Sequence, residues 1–206
     1  ARGDGGRLVV SSHHSWDWPH QVAILDEAGR MRDEYWHPGW LFSLAVADRD
    51  GDGRDEILAG GVNNAALDRE GRGATLVELD AEKLRGQGRV PEHSRFFIGG
   101  FPTGMERRVL FFPEFERHPN PNHYCHVDRI ASLGEDVTLV VAQGFGADVF
   151  SLPYAHIRLD KGLNVTGVQP SALLADTLAR QYPNASQEKL FLEHIAGIAR
   201  ANRAIP

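Results

Sequence analysis

The sequence contains a single cysteine, Cys125, among its 206 residues. An internal disulfide is therefore excluded, and stability has to come from packing and from any bound metal. Concentrated basic charge is also missing, because 22 Lys and Arg stand against 28 Asp and Glu and the formal net charge is −6. This balance argues against a nucleic-acid partner, since such partners attract clustered Lys and Arg.

Long apolar runs and common catalytic signatures are absent as well. No stretch approaches the ~18 apolar residues of a membrane helix, so we predict no membrane insertion. The sequence has no Gly-x-Ser-x-Gly elbow, no phosphate-binding glycine loop with Lys, and no Gly-x-Gly-x-x-Gly at a helix start. The absence of these catalytic signatures favours a non-enzymatic protein.

What the sequence does contain is a series of short β-prone segments separated by turn residues. Two of the turns, Glu27–Arg30 and Lys161-Gly162, have the composition of hairpin turns. The predicted strands are Arg7–Ser12, Gln21–Asp26, Met31–Trp36, Leu41–Ala47, Ile57–Gly61, Thr75–Leu79, Arg107–Phe112, Val127–Leu133, Val137–Gln143, Tyr154–Asp160 and Leu163–Val168.

The C-terminal segment has a different pattern. Apolar residues recur at helical spacing in Ser171–Gln181, directly after Pro170, and again in Gln187–Arg200. We therefore predict a β-rich repeat region over residues 1–169 and two C-terminal α-helices within residues 170–206 that pack on it.

An internal repeat is indicated near the start of the chain. Gly3-Asp4, followed by the apolar segment Leu8–Val10, aligns with Gly51-Asp52, followed by Ile57–Gly61, at an offset of 48 residues. A period of about 40–50 residues is typical of propeller blades. The expected fold class is therefore mainly β, with propeller-blade-like antiparallel sheets, a propeller that this chain leaves incomplete, and the two helices.

The most informative segment is the acidic loop Asp48–Glu56. Asp48, Asp50 and Asp52 alternate along it, so their carboxylates can converge on one point where the chain curls. Calcium is a hard cation that takes six to eight oxygen ligands. Magnesium fits less well, because it demands stricter octahedral geometry and keeps its waters.

The second half of the loop supplies the bend and the closing ligands. Gly53 visits positive φ freely. Arg54 would contribute its backbone carbonyl, and Glu56, at the ninth position, would close the shell in preference to Asp55. The helix–loop–helix calcium site differs, because its closing Glu lies at the twelfth position, which is Ala59 here. The alternative is a solvated acidic turn that holds no metal.

Residues Phe42–Gly61 resemble the FG-GAP repeats of integrin-like β-propellers. In that family the pattern Asp-x-Asp-x-Asp-Gly-x-x-Asp lies between adjacent strands of a blade and binds calcium. The ninth position here is Glu56 instead of Asp, the naming dipeptide is Phe42-Ser43, and the Gly-Ala-Pro element is Gly60-Gly61-Val62. By position, the resemblance implies a Ca²⁺ site made by Asp48, Asp50, Asp52, Arg54 (backbone) and Glu56.

The resemblance favours an extracellular or periplasmic location and a non-catalytic, calcium-binding module of a larger protein. Such a module would serve as a binding or scaffold domain for an unidentified protein or carbohydrate ligand. One alternative is a carbohydrate-active or carbohydrate-binding module, whose tryptophans stack on sugars. Another is the sensory or regulatory C-terminal part of a multidomain protein.

A second candidate metal segment is His118–His126, which holds three His and Cys125. Zinc or copper would accept such ligands. However, the prolines indicate a stiff loop, and the spacing matches no zinc finger. A polar loop that leads into a strand is the alternative, with His123 and Cys125 on one face and Tyr124 and His126 on the other.

Overall fold

The computed structural model describes residues 6–13, 20–37, 39–63, 73–84, 106–112, 123–133, 136–145, 152–170 and 180. Within these ranges the chain forms three antiparallel sheets, each made of consecutive strands. The first sheet has the order β1-β2-β3, the second β4-β5-β6-β7 and the third β11-β10-β9-β8. The strands are β1 (Leu8–Ser12), β2 (His20–Leu25), β3 (Met31–His37), β4 (Gly39–Ala47), β5 (Glu56–Asn63), β6 (Gly73–Asp80), β7 (Glu106–Phe112), β8 (His123–Leu133), β9 (Val137–Phe145), β10 (Leu152–Leu159) and β11 (Val165–Pro170).

The second sheet is covered on both faces, which explains the almost continuous apolar run in β5. Successive side chains of a strand point to opposite faces. Ile57 and Ala59 pack with the first sheet around Val22 and Tyr35, while Leu58 belongs to the core shared with the third sheet. All three β5 residues are fully buried.

The approach of the second and third sheets depends on the paired glycines of β5. β8 packs against β4, β5 and β6. A Cβ at Gly60 would lie 2.5 Å from Val127 Cγ1 on β8, and a Cβ at Gly61 would overlap the Trp40 backbone on β4. Neither position has room for a side chain, so the Gly-Gly pair is a packing requirement.

The three sheets repeat one local arrangement. In each sheet an apolar residue at the first or second position of one strand pairs with a Leu near the end of the adjacent strand. That Leu is followed directly by an Asp at the turn. The pairs are Leu8↔Leu25, Ile57↔Leu79 and Val137↔Leu159, and the aspartates are Asp26, Asp80 and Asp160. The offset between Leu8 and Ile57 is one residue longer than that between the Gly-Asp pairs, and Gly3 and Asp4 lie outside the described residues.

The fold class predicted from the sequence needs correction. The described part of the chain is mainly β, but it contains no helical element, so the prediction of two C-terminal helices is wrong there. Pro170, which directly precedes the first predicted helix, ends the edge strand β11 opposite Ala155, where a missing N–H is tolerated. Residues 171–179 and 181–206 lie outside the described residues.

Two further expectations concern closure and membranes. The strand order within each sheet is that of a meander, but the described sheets do not close into a propeller. No helix in the described ranges is long and apolar enough to cross a membrane.

Candidate metal centre at the β4–β5 loop

The acidic loop joins β4, which ends at Ala47, to β5, which begins at Glu56. Gly51 and Gly53 have φ values of 79° and 88°, which residues with a Cβ rarely adopt. Asp48 uses both carboxylate oxygens inside the loop, because Oδ1 accepts the Gly51 N–H at 2.7 Å and Oδ2 accepts the Gly53 N–H at 2.9 Å. The two glycines and Asp48 therefore fix the curl that the sequence predicted.

This curl brings three carboxylates together. One oxygen from each of Asp48, Asp50 and Glu56 lies within 4.8 Å of the others. Calcium–oxygen distances are about 2.3–2.6 Å, so two ligands of one ion lie no more than about 5 Å apart. The all-oxygen donor set and its spacing therefore fit a hard divalent cation.

Two of the predicted ligands are not part of this carboxylate cluster. Asp52 uses its Oδ1 to accept the Arg54 N–H at 2.9 Å, which supports the loop backbone. The Arg54 side chain points to the surface, with Nε 3.5 Å from Glu82 Oε2. The ligand roles of Asp52 and of the Arg54 carbonyl stay predictions.

Arg107, which the sequence analysis did not identify, contacts two of the three clustered carboxylates. The β6–β7 register shifts between Glu78 and Leu79, which pair with Arg108 and Glu106, so Arg107 is the extra residue of a bulge. A bulge re-aims its side chain. The Arg107 guanidinium lies 2.5 Å from Asp50 Oδ2 and 2.7 Å from Glu56 Oε1.

The single positive charge of Arg107 offsets part of the negative charge of the three clustered carboxylates. The hydrogen bond from Arg107 is the largest cause that lowers the pKa of Asp50, and the same bond raises the pKa of Arg107. Glu56 is only 2% exposed, and its other oxygen accepts the Arg49 N–H at 2.9 Å. A buried carboxylate is costly without a counter-charge, and the Arg107 guanidinium lies beside Glu56 as that counter-charge.

Arg49, inside the loop, joins the second sheet to the third. The Arg49 side chain is 4% exposed, and its Nη1 lies 3.2 Å from Oε1 of Glu78, whose side chain is 3% exposed. Its Nη2 donates to the carbonyl oxygens of Lys161 at 3.2 Å and Asp160 at 3.4 Å. Lys161 Nζ in turn donates to the Asp50 carbonyl at 3.0 Å, so the loop is fastened to the β10–β11 turn.

Burial of Glu78 beside Arg49 disfavours the charged form of its carboxyl group. Desolvation by burial raises the pKa of Glu78, and Arg108 and Arg49 oppose the rise. Its Oε2 lies 3.3 Å from Arg108 Nε but without hydrogen-bond geometry. Arg49 is therefore the partner that satisfies this buried carboxylate directly.

The second candidate metal segment is described only from His123 onward. Cys125 is buried in the same core as Val127. His126 is buried too, with its ring centroid 4.7 Å from that of Phe42 and Nε2 4.0 Å from Asp128 Oδ1. Among the described residues, the only group of three or more metal-ligating side chains is the one in the acidic loop.

A Ser–His contact elsewhere has the wrong proton arrangement for a nucleophile. His20 Nε2 lies 2.5 Å from Ser11 Oγ, and His20 Nδ1 accepts the Leu41 N–H at 3.1 Å. In the neutral ring one nitrogen donates when the other accepts, so Nε2 carries the proton and cannot remove one from Ser11. Burial, the largest cause, lowers the pKa of His20 to about 3, so the ring stays neutral.

Comparison with known proteins adds no relative. No family model matches the chain, and neither a curated protein nor a solved structure matches it significantly. The FG-GAP resemblance therefore rests on the motif in Phe42–Gly61 alone.

Proposed function

We propose that this chain is a non-catalytic, calcium-binding, FG-GAP-like domain that acts as a binding or scaffold module of a larger protein. The observation that carries the proposal is the convergence of Asp48, Asp50 and Glu56 within 4.8 Å. They meet at a turn between paired strands, as the motif requires. The repeated Leu-Asp turn of the three sheets also suits a repeat protein.

The role of the ion in this proposal is architectural. The loop that would hold it also fastens the β10–β11 turn through Arg49 and Lys161. An ion that binds only the folded state stabilises it, by ~2.7 kcal/mol at a hundredfold excess over Kd. For a chain of this size that corresponds to a rise in Tm of about 5–10 °C.

The test compares thermal unfolding with excess Ca²⁺, with excess Mg²⁺ and with a chelator. Ca²⁺ should raise the Tm of the wild type, and Mg²⁺ should raise it less. Asp48→Asn and Glu56→Gln should abolish the calcium effect. Asp55→Asn is the matched control, because Asp55 is an exposed loop carboxylate outside the cluster. Melting that ignores calcium in the wild type would contradict the proposal.

The two other functions gain less support. For a carbohydrate module, Trp36 and Trp40 would have to line an open groove, but both are half-buried. Trp16 and Trp18 lie outside the described residues. No contact in the described part of the chain specifically favours a sensory or regulatory module.

A further inference from the structure

We infer that Arg107 is a tethered cation that holds the loop carboxylates in the metal-free state and competes with Ca²⁺ for them. The inference rests on the proposed calcium binding and adds how the affinity of that site is set. Arg107 thus becomes the residue that determines the affinity, although it contributes no ligand.

The competition follows from the atoms that Arg107 contacts. Its two terminal nitrogens contact Asp50 Oδ2 and Glu56 Oε1, which belong to two of the three clustered carboxylates. The remaining oxygen of each is occupied by a backbone N–H, from Asp52 at 3.1 Å and from Arg49 at 2.9 Å. A cation bound by both carboxylates would lie directly beside the guanidinium, and like charges this close repel strongly.

The location of Arg107 allows it to leave. It lies at a bulge in β7, the edge strand of the second sheet, and its side chain is 34% exposed. It can therefore turn toward solvent without opening the core. Arg49 contrasts with it, because that side chain is 4% exposed and is held by the third sheet.

Calcium binding thus becomes an exchange of one cation for another. Without metal, the single positive charge of Arg107 offsets part of the negative charge of Asp50 and of the buried Glu56, and the loop keeps its shape. With metal, the arginine is released to the surface. The measured affinity for Ca²⁺ is the intrinsic affinity reduced by the cost of breaking both ion pairs.

The experiment is calorimetric titration of CaCl₂ into the full chain, using the wild type, Arg107→Gln, Arg107→Lys and Arg108→Gln. Arg107→Gln removes the competing guanidinium, so its Kd for Ca²⁺ should be lower than that of the wild type by roughly tenfold or more. A tenfold change corresponds to about 1.4 kcal/mol. Arg107→Lys should show a smaller gain, because lysine keeps the charge but not the two-pronged contact. Arg108→Gln is the matched control, because Arg108 is the adjacent arginine and contacts Glu78 instead of the loop carboxylates. Its Kd should equal that of the wild type.

The outcomes separate this inference from the calcium proposal. Equal or weaker binding by Arg107→Gln, alongside measurable wild-type binding, overturns the competition but leaves the calcium site standing. Binding by Arg107→Gln but not by the wild type supports the competition in its strongest form. Binding by neither removes the calcium proposal and the inference with it. If Arg107→Gln does not fold, Arg107→Lys decides by the same comparison with the wild type.

Discussion

Replacing Arg49 with methionine is the sharpest test of what holds the acidic loop to the two larger sheets. The change keeps an unbranched side chain of similar reach and removes the charge and the donors. It leaves the buried Glu78 without its direct partner and the Lys161 carbonyl without its donor. It does not alter the loop carboxylates themselves.

The expected cost follows from burial at both ends of the pair. Removing one partner of a buried ion pair costs about 3–5 kcal/mol, since the other charge stays uncompensated. Arg108 Nε, 3.3 Å from Glu78 Oε2, offsets part of that cost and places Arg49→Met near the lower end. Glu78→Met combined with Arg49→Met should recover most of it, because hydrophobic replacement of a whole buried pair is often neutral.

The assay is urea unfolding followed by tryptophan fluorescence, with the free energy of unfolding taken from the midpoint and slope. Arg54→Met is the control, because Arg54 is an exposed arginine of the same loop and such changes usually stay within about 0.5 kcal/mol. A cost below ~1 kcal/mol for Arg49→Met, or a double variant as unstable as the single one, would refute the reasoning.

The pH dependence of Arg49→Met gives a second readout. Burial already raises the pKa of Glu78, and Arg49 is one of the charges that oppose the rise. Without Arg49 the pKa of Glu78 should rise further. A carboxyl group whose pKa is higher in the folded than in the unfolded state destabilises the protein once the pH exceeds the pKa of the unfolded state, which is about 4.3 for Glu. The penalty for Arg49→Met should therefore be larger near neutral pH than at about pH 4.

Two other predictions concern packing and buried histidines. In urea unfolding, Gly61→Ala should destabilise the protein more than Gly60→Ala. The added Cβ would overlap the β4 backbone at Gly61, whereas at Gly60 it would meet a valine side chain of β8. Gly167→Ala is the control and should unfold like the wild type, because no atom lies nearer than 3.9 Å to its added Cβ. Burial lowers the pKa values of His20 and His37 to about 3 and about 4. Unfolded histidines protonate near pH 6.5, so stability should fall below about pH 6.5 by up to ~1.4 kcal/mol per pH unit for each. His→Gln variants should lose this slope in urea unfolding measured across that range, and an unchanged slope would contradict the assignment.

The local features of this chain were readable from its sequence because short-range chemistry determines them. Alternating Asp with Gly51 and Gly53 predicted a tight acidic turn, and the glycines do take positive φ. Strand positions followed from apolar β-prone runs. Glu56 was assigned to the loop, whereas it is the first residue of β5 and is buried. Burial depends on the neighbouring sheets, which a run of residues does not reveal.

The features that escaped prediction depend on register. Arg107 contacts Glu56 from 51 residues away, and only a bulge in the β6–β7 pairing turns it toward the loop. No local pattern distinguishes Arg107 from Arg108. Likewise, β11 extends to Pro170, two residues beyond the predicted end at Val168, because Pro170 pairs with Ala155 of β10.

Comparison with the turn aspartates of the three sheets shows which carboxylate of the acidic loop needs a positive charge beside it. Asp26, Asp80 and Asp160 each accept backbone N–H groups of their own turn, and Asp48 does the same. Such carboxylates are satisfied without metal. Glu56 differs, because it is buried and needs a positive charge beside it. In this structure Arg107 supplies that charge, and under the calcium binding proposed above the ion would replace it.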